Sequence, residues 1–175
     1  MKVVAMSRRA FEALPERPRA EWAEGKAYIM MAPVAFEHGH STVKLIALLV
    51  NCLTGVDVVT EVGYRMADSD RGPDIAVVPA GTASGTWITE PPLLIVEIVS
   101  PSTRSQDYVT KSAEYGKAGV GQYWIVDPQV RVVTILVNDG KGGWDLAQEL
   151  NPDNPTATIE IPNHGIVNLA LDAIV

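Results

Sequence analysis

The seven-residue stretch 93–99, LLIVEIV, constrains the fold more than any other part of the chain. A near-continuous apolar run of this length is typical of a central strand that is covered on both faces of a sheet. Glu97 interrupts the run, and a buried carboxylate is costly unless it is paired or bound to a cation. A solvent-facing edge strand, an arginine partner or a position at the wet end of the strand would each explain Glu97 without a functional role.

Hydrophobic periodicity predicts helices and further strands around this run. Helices are predicted over residues 36–53 and 106–118, and the charged first 26 residues are predicted as a helix and loop broken by Pro15 and Pro18. Strands are predicted at residues 27–32, 56–62, 74–79, 122–126 and 130–137, with weaker ones at 144–150 and 157–161. This order predicts a single α/β domain over residues 1–175, with one mixed sheet.

The distribution of charge bears on the class of partner. Residues 1–71 carry nine basic and nine acidic side chains, whereas residues 72–175 carry five basic and twelve acidic ones, so the second part holds the whole net charge of −7. A nucleic-acid binder usually presents a basic surface, so this balance argues against tight binding of DNA without metal. The objection weakens if the acids surround cations that neutralise them.

Other simple classes are excluded or disfavoured. No apolar run approaches the roughly 18 to 20 residues of a membrane helix, and the N-terminus lacks the apolar core of a secretory signal, so we expect a cytoplasmic protein that does not cross a membrane. Cys52 is the sole cysteine, which excludes an internal disulfide and a cysteine-based zinc site. Within its apolar surroundings, Cys52 is expected to be an inert thiol.

A second carboxylate opens the neighbouring predicted strand. Asp74 follows Pro73, which stiffens the backbone at this point. Two adjacent strands that each offer a carboxylate near the same end can hold a cation through oxygen ligands and leave room for a phosphate. Asp74 and Glu97 together therefore indicate a divalent-cation site, although Pro-Asp alone is common in turns.

The helix predicted after Glu97 offers a cation. Asp107, Lys111 and Tyr115 are spaced by four residues, which places them on one helical face. If that face packs over the strand end, Lys111 can stabilise negative charge that develops on a phosphate. The alternative is that Asp107 and Lys111 form an ordinary surface ion pair.

The segments PDIAVVP and LLIVEIVSPSTRSQDYVTKSAEYGKAGVGQYWIVDP, within residues 73–128, resemble the Uma-type family of restriction-endonuclease-like proteins in the PD-(D/E)xK nuclease superfamily. The likeness extends more loosely over nearly the whole chain. It implies an α/β fold with a restriction-endonuclease-like mixed central sheet flanked by helices, with extra C-terminal strands. It also implies that Asp74 and Glu97 are metal ligands, with the Ile98 backbone carbonyl as a further ligand.

This sequence departs from the superfamily pattern at the lysine. The superfamily lysine usually stands two residues after the acid, where this chain has Val99, and Lys111 on the following helix takes its place in the Uma-type pattern. In related nucleases the first helix also contributes an acid, for which Glu37 is the first candidate and Glu21 the second. His38 is a further candidate for contact with metal or phosphate, with helix capping or a surface role as the alternative.

The leading hypothesis is a metal-dependent endonuclease that hydrolyses phosphodiester bonds, with Mg²⁺ or Mn²⁺ as cofactor and DNA as partner. Asp74, Glu97 and Lys111 are its predicted catalytic residues, and Asp107 or Tyr115 would orient Lys111. The resemblance also suggests a homodimer formed through the C-terminal strands.

Two other classes compete with a nuclease. A non-catalytic binding or regulatory module that keeps the fold would account for the acidic balance. A serine hydrolase using Ser100 or Ser102 with His38 or His40 lacks the Gly-x-Ser-x-Gly turn. Arg65, Arg71 and Arg104 flank the predicted strands and are candidates for phosphate contacts, with solvated loop charges as the alternative.

Overall fold

A computed structural model describes residues 2–14, 20–29, 35–83 and 85–175. Over this part of the chain the strands are β1 (Lys2–Ala5), β2 (Ala20–Ala23), β3 (Lys26–Ile29), β4 (Val56–Val59), β5 (Gly63–Arg65), β6 (Ser69–Arg71), β7 (Ile75–Pro79), β8 (Trp87–Ile88), β9 (Leu94–Ile98), β10 (Gln122–Asp127), β11 (Val132–Asn138), β12 (Trp144–Leu150), β13 (Thr156–Ile161) and β14 (Gly165–Ala170). The helices are α1 (Arg8–Glu12), α2 (Phe36–Cys52), a π-helix (Gln106–Lys111) that continues into α3 (Ser112–Lys117), and α4 (Leu171–Ile174). The predicted breaks at Pro15 and Pro18, and residues 30–32 of the predicted strand 27–32, lie outside the described residues.

The central sheet has the order β12-β11-β10-β9-β7-β4. Strands β9 and β10 run parallel and the other neighbours are antiparallel, so the sheet is mixed, as predicted. Every residue of β9 and β10 is buried. The prediction that residues 93–99 form a covered central strand is therefore confirmed.

A second sheet has the order β1-β3-β2-β6-β5-β8, so the prediction of a single sheet was wrong. Its strands are two to four residues long, which leaves too little alternation for a period-two pattern to be recognised. In β6, Ser69, Asp70 and Arg71 are all buried although all three are polar. Within residues 2–14 and 20–26, which the structure describes, only Arg8–Glu12 form a helix, anchored by the buried Phe11.

The C-terminal segment adds a hairpin of β13 and β14, with Ile159 opposite Val167. Strand β14 and helix α4 both contact α2. Alternate residues of β13 are buried, as expected for a strand with one face on the core. The extra C-terminal strands are thus present, although β14 and α4 were not predicted individually.

The two faces of β9 contact different hydrophobic clusters, because successive side chains of a strand point to opposite faces. Leu94, Val96 and Ile98 pack in the cluster that contains Leu45 and Leu49 of α2. On the opposite face, Ile95 and Val99 pack in a cluster with Tyr64, Tyr115 and Tyr123. Strand alternation therefore places Glu97 on the face covered by α3.

No helix in the described ranges has the length and apolar character needed to cross a bilayer.

Candidate functional site

Asp74 and Glu97 are cross-strand neighbours. Strands β7 and β9 are antiparallel with Ile75 opposite Val96, and one further step in this register brings Asp74 opposite Glu97. Directly opposed residues of antiparallel strands project to the same face, with Cβ atoms about 4.5–5.5 Å apart. The Ile98 amide donates a hydrogen bond of 2.8 Å to Asp74 Oδ2, which holds the aspartate against β9.

Lys111 lies between three carboxylates. Its Nζ is 3.1 Å from Glu97 Oε1, 3.2 Å from Glu21 Oε1 and 3.2 Å from Asp107 Oδ1. Lys111 is only 3% exposed and Asp107 is 1% exposed. The alternative of a surface ion pair between these two residues is therefore wrong.

A side chain of the central sheet contacts the helix that carries Lys111. Its first part is a π-helix, a rare geometry that often occurs at functional sites. The Trp144 indole on β12 donates a hydrogen bond of 2.8 Å to the Ser112 carbonyl at the start of α3. Gly116 permits this approach, since a Cβ there would lie 2.9 Å from Trp144 Nε1.

Tyrosine and histidine side chains hold the acids from the outside of the cluster. The Tyr115 hydroxyl donates a hydrogen bond of 2.9 Å to Glu97 Oε1. The Tyr123 hydroxyl donates one of 2.9 Å to the backbone carbonyl of Asp107, which fixes the helix rather than the carboxylate. His38 Nε2, near the start of α2, lies 3.3 Å from Asp74 Oδ1. The structure therefore brings His38, Asp107 and Tyr115 together with the three predicted catalytic residues.

Glu21, the second candidate for the additional acid, occupies the cluster, whereas Glu37, the first candidate, is exposed on α2. The backbone amide of Gly72 donates to Glu21 Oε1 at 3.2 Å. Glu21 was ranked second because a helical acid was expected, but it lies on the short strand β2. The preference between these two residues is reversed by the structure.

Arg71 was predicted to contact phosphate or to be a solvated loop charge, and neither fits its position. Its guanidinium is 0% exposed; Nη1 lies 3.1 Å from Glu21 Oε2 and Nε lies 2.7 Å from Glu114 Oε2. Arg71 therefore holds the Glu21 carboxylate in place through a buried ion pair. Arg65 packs over the Trp87 ring and Arg104 pairs with Asp127, so both have intramolecular partners.

The comparisons with known proteins point to one family. Residues 8–169 match the Uma2 family, described as "Putative restriction endonuclease". This match spans far more than half of the chain. The chain belongs to the Uma2 family.

The solved structures support the fold of this Uma2 family member. A crystal structure from Anabaena variabilis ATCC 29413, titled as that of a putative nuclease belonging to DUF820, superposes with a TM-score of 0.76. The two chains are 19% identical, and the match covers 95% of each. The restriction-endonuclease-like α/β fold is therefore confirmed. Among curated proteins, none matches the chain.

Negative charge is in excess within the site of this Uma2 family member. Its almost fully buried charged groups are the carboxylates of Glu21, Asp74, Glu97 and Asp107 and the cations of Arg71 and Lys111. With all six ionised, two carboxylates are left without a compensating buried cation. One divalent cation, or protonation of carboxylates, would restore the balance.

The pKa values follow from burial and from these neighbours. Burial, together with Asp74, Asp107 and Glu21, raises the pKa of Glu97 well above the ordinary glutamate value, against the opposing effect of Lys111. Burial alone would lower the pKa of Lys111, but the surrounding carboxylates outweigh it and raise that pKa. The surrounding carboxylates therefore favour the charged form of Lys111.

The donor set of this Uma2 family member fits a hard divalent cation in its chemistry. Carboxylate and carbonyl oxygens are the ligands that Mg²⁺ and Mn²⁺ prefer, and Mg²⁺ is usually bound through one or two carboxylates plus waters and phosphate. Over the described residues, no three Asp, Glu, His or Cys side chains form a metal-binding group. Asp74 and Glu97 are the two opposed carboxylates of this donor set.

Proposed function

We propose that this Uma2 family member is an endonuclease that hydrolyses phosphodiester bonds in DNA with Mg²⁺ or Mn²⁺. The observation that carries the proposal is the opposition of Asp74 and Glu97 on one face of the central sheet, with Lys111 Nζ 3.1 Å from Glu97. Membership in a family described as "Putative restriction endonuclease" supports the same reaction class.

Asp74, Glu97 and the Ile98 backbone carbonyl would hold the cation. When bound, the cation supplies a water of lowered pKa and polarises the phosphate. The cation also offsets the excess of buried negative charge, which favours its binding at this position.

The protein side chains supply charge and orientation. Lys111 holds a positive charge beside Glu97, where it can stabilise the negative charge that develops on the phosphoryl oxygens. Asp107 and Glu21 fix the lysine ammonium, because each lies 3.2 Å from it. Tyr115 orients Glu97, and His38 orients Asp74.

A non-catalytic binding module is the second candidate, and the burial of the two proposed metal ligands favours it. Asp74 is 4% exposed and Glu97 is 2% exposed, so a phosphate contacts them only if the surrounding side chains move. In a module of this kind the ion pairs of Lys111 would serve stability and specificity of folding.

The serine hydrolase alternative has no geometric support in the described part of the chain. The hydroxyls of Ser100 and Ser102 lie 3.1 Å from each other. His38 contacts Asp74, and His40 stacks on Phe36. Neither histidine has a described hydrogen bond to a serine.

Cleavage assays test the proposal directly. Supercoiled plasmid, single-stranded DNA and branched DNA are incubated with the protein and Mg²⁺ or Mn²⁺, and each reaction is repeated with EDTA. We expect metal-dependent cleavage that Asp74→Asn and Glu97→Gln abolish. The matched controls are the exposed acids Asp145→Asn and Glu160→Gln, which keep the same charge change away from the site.

Cleavage that both site variants retain at the wild-type rate would remove the assignment. Absence of cleavage combined with Mn²⁺ binding by the wild type would favour the binding module.

A further inference from the structure

Glu114 ends a chain of ion pairs that starts at Lys111 and returns to the same helical segment. Lys111 Nζ lies 3.2 Å from Glu21 Oε1, and Glu21 Oε2 lies 3.1 Å from Arg71 Nη1. Arg71 donates to both carboxylate oxygens of Glu114, from Nε and from Nη2, each at 2.7 Å. Glu114 stands three residues after Lys111, so the two are neighbours on the helix surface. The ion-pair chain is the series Lys111, Glu21, Arg71 and Glu114.

The two middle members of the ion-pair chain belong to the second sheet. Trp22 on β2 pairs with Asp70 on β6, and the next step of this antiparallel register brings Glu21 opposite Arg71. Directly opposed side chains of antiparallel strands project to the same face. The ion-pair chain therefore joins the helix that covers the central sheet to two neighbouring strands of the other sheet.

The Lys111 ammonium group has one carboxylate for each of its protons. An ammonium group carries three N–H donors. The three carboxylates within 3.1 Å or 3.2 Å of Nζ are those of Glu21, Glu97 and Asp107. A displacement of Glu21 would remove one of these three contacts, and the position of the ammonium beside Glu97 would no longer be fixed.

The position of Glu21 depends in turn on Arg71. Glu21 Oε1 accepts a hydrogen bond of 3.2 Å from the Gly72 amide, and Oε2 pairs with Arg71. Burial raises the pKa of the Glu21 carboxyl, but Lys111, Arg71 and the Gly72 amide outweigh burial and lower that pKa. Glu21 is therefore an ionised link between the guanidinium and the ammonium.

Glu114 sets the orientation of Arg71. Two parallel hydrogen bonds from a guanidinium to one carboxylate define the plane and direction of both groups. The Ser69 hydroxyl, on the same strand as Arg71, donates a further hydrogen bond of 3.1 Å to Glu114 Oε2. Without the Glu114 carboxylate, the buried guanidinium would lose the pair of hydrogen bonds that aims Nη1 at Glu21.

We propose that Glu114 is a positioning residue, which holds the Lys111 ammonium against Glu97 through Arg71 and Glu21. The side chain of Glu114 is 21% exposed, and its described hydrogen bonds join it to Arg71 and Ser69. Its effect on catalysis rests on the proposed function, whereas its effect on the position of Lys111 does not.

Hydrogen exchange of the Lys111 ammonium group tests the position of the lysine without an assay of activity. The full chain is labelled at its lysine side-chain nitrogens for NMR, and the Lys111 signal is identified by its absence from Lys111→Arg. We expect slow exchange with water in the wild type, because three carboxylates hold the group. Exchange in Glu114→Gln should be about tenfold faster, since a hydrogen bond between charged groups contributes a factor of this size.

Two further variants separate the ion-pair chain from a general effect of charge. Glu160→Gln is the matched control, because it makes the same change at an exposed position of β13 and should leave exchange at Lys111 unchanged. Arg71→Lys keeps the positive charge but cannot form the two parallel hydrogen bonds to Glu114, so it should also accelerate exchange. Adding Glu114→Gln to Arg71→Lys should cause little further acceleration, because both changes break the same link.

Cleavage kinetics give a second measurement of the same role. Glu114→Gln should lower kcat and leave the KM for DNA unchanged, because Glu114 acts on Lys111 and does not contact the substrate. A wild type that cleaves no DNA would contradict the proposed function alone. The exchange measurement would still decide whether Glu114 positions Lys111.

Equal exchange at Lys111 in the wild type, Glu114→Gln and Glu160→Gln would overturn the proposal. An equal acceleration at backbone amides throughout the central sheet would overturn it as well, because Glu114 would then stabilise the whole fold rather than position one lysine. With an active wild type, an unchanged kcat in Glu114→Gln would contradict its effect on catalysis.

Discussion

Lys111 Nζ lies 3.1 Å from Oε1 of Glu97, although the two residues are fourteen positions apart and belong to different elements. Glu97 comes from the centre of the main sheet and Lys111 from the junction of the π-helix with α3. The contact reduces the cost of an acid in a fully buried strand, because the lysine offsets part of its negative charge at short range. In the proposed nuclease, the same contact would place a positive charge beside a metal ligand.

Lys111→Met should abolish cleavage and weaken folding. It leaves Glu21, Glu97 and Asp107 without their shared cation, and breaking a buried ion pair from one side costs about 3–5 kcal/mol. The rate is measured on plasmid, and stability by urea denaturation. Lys117→Met is the control, because Lys117 is 81% exposed and should leave both unchanged. Equal stability of the two variants would show that the buried pairs are unimportant.

Tyr115→Phe isolates the hydrogen bond to Glu97. The ring stays in its aromatic cluster with Tyr64 and Tyr123, so the loss is confined to one hydroxyl. We expect destabilisation of about 1–2 kcal/mol, since the removed partner is a buried acidic group. The rate of cleavage should fall while the apparent affinity for DNA stays constant, because the hydroxyl would orient the proposed metal ligand Glu97. A variant with full stability and full activity would argue against this role.

The pH dependence of stability reports on Glu97. Its folded pKa is raised, so its contribution to stability is complete below the ordinary glutamate pKa and is lost as the pH rises through the folded pKa. In EDTA, the free energy of unfolding of the wild type should therefore fall, relative to Glu97→Gln, between about pH 4.3 and neutral pH. Urea titrations of both proteins at matched pH measure this difference. A constant difference over the range would indicate that Glu97 titrates normally.

Part of this arrangement was predictable from the sequence. Asp74 stands at the start of one apolar strand, and Glu97 interrupts another. A charged residue at these positions is easily recognised in the sequence. Lys111 was found through its spacing to Asp107 and Tyr115. The π-helix was not predicted, because regular four-residue spacing is also that of an α-helix.

Other parts could not be predicted from local pattern. Glu21 and Arg71 lie on strands of three or four residues, too short for a period to appear. Their burial depends on the second sheet and on contacts between residues 21, 71 and 114, which are distant in sequence. The face of α2 that is exposed could not be predicted from the sequence either, because both faces of the helix carry apolar residues.

Divalent metal should stabilise the wild type and not its site variants. A ligand that binds only the folded state raises stability by about 2.7 kcal/mol at a concentration one hundred times its Kd. We therefore expect Mn²⁺ to raise the Tm of the wild type and of Asp145→Asn. Asp74→Asn and Glu97→Gln should show little or no increase. The same increase in all four proteins would place the metal elsewhere.

The most direct measurement is anomalous diffraction from crystals soaked in Mn²⁺. We predict a single strong peak between the carboxylates of Asp74 and Glu97, within coordination distance of both, with Lys111 adjacent to it. A peak bound by other residues, or no peak between these two acids at millimolar Mn²⁺, would contradict the central claim that a cation shared by two opposed strands forms the active site.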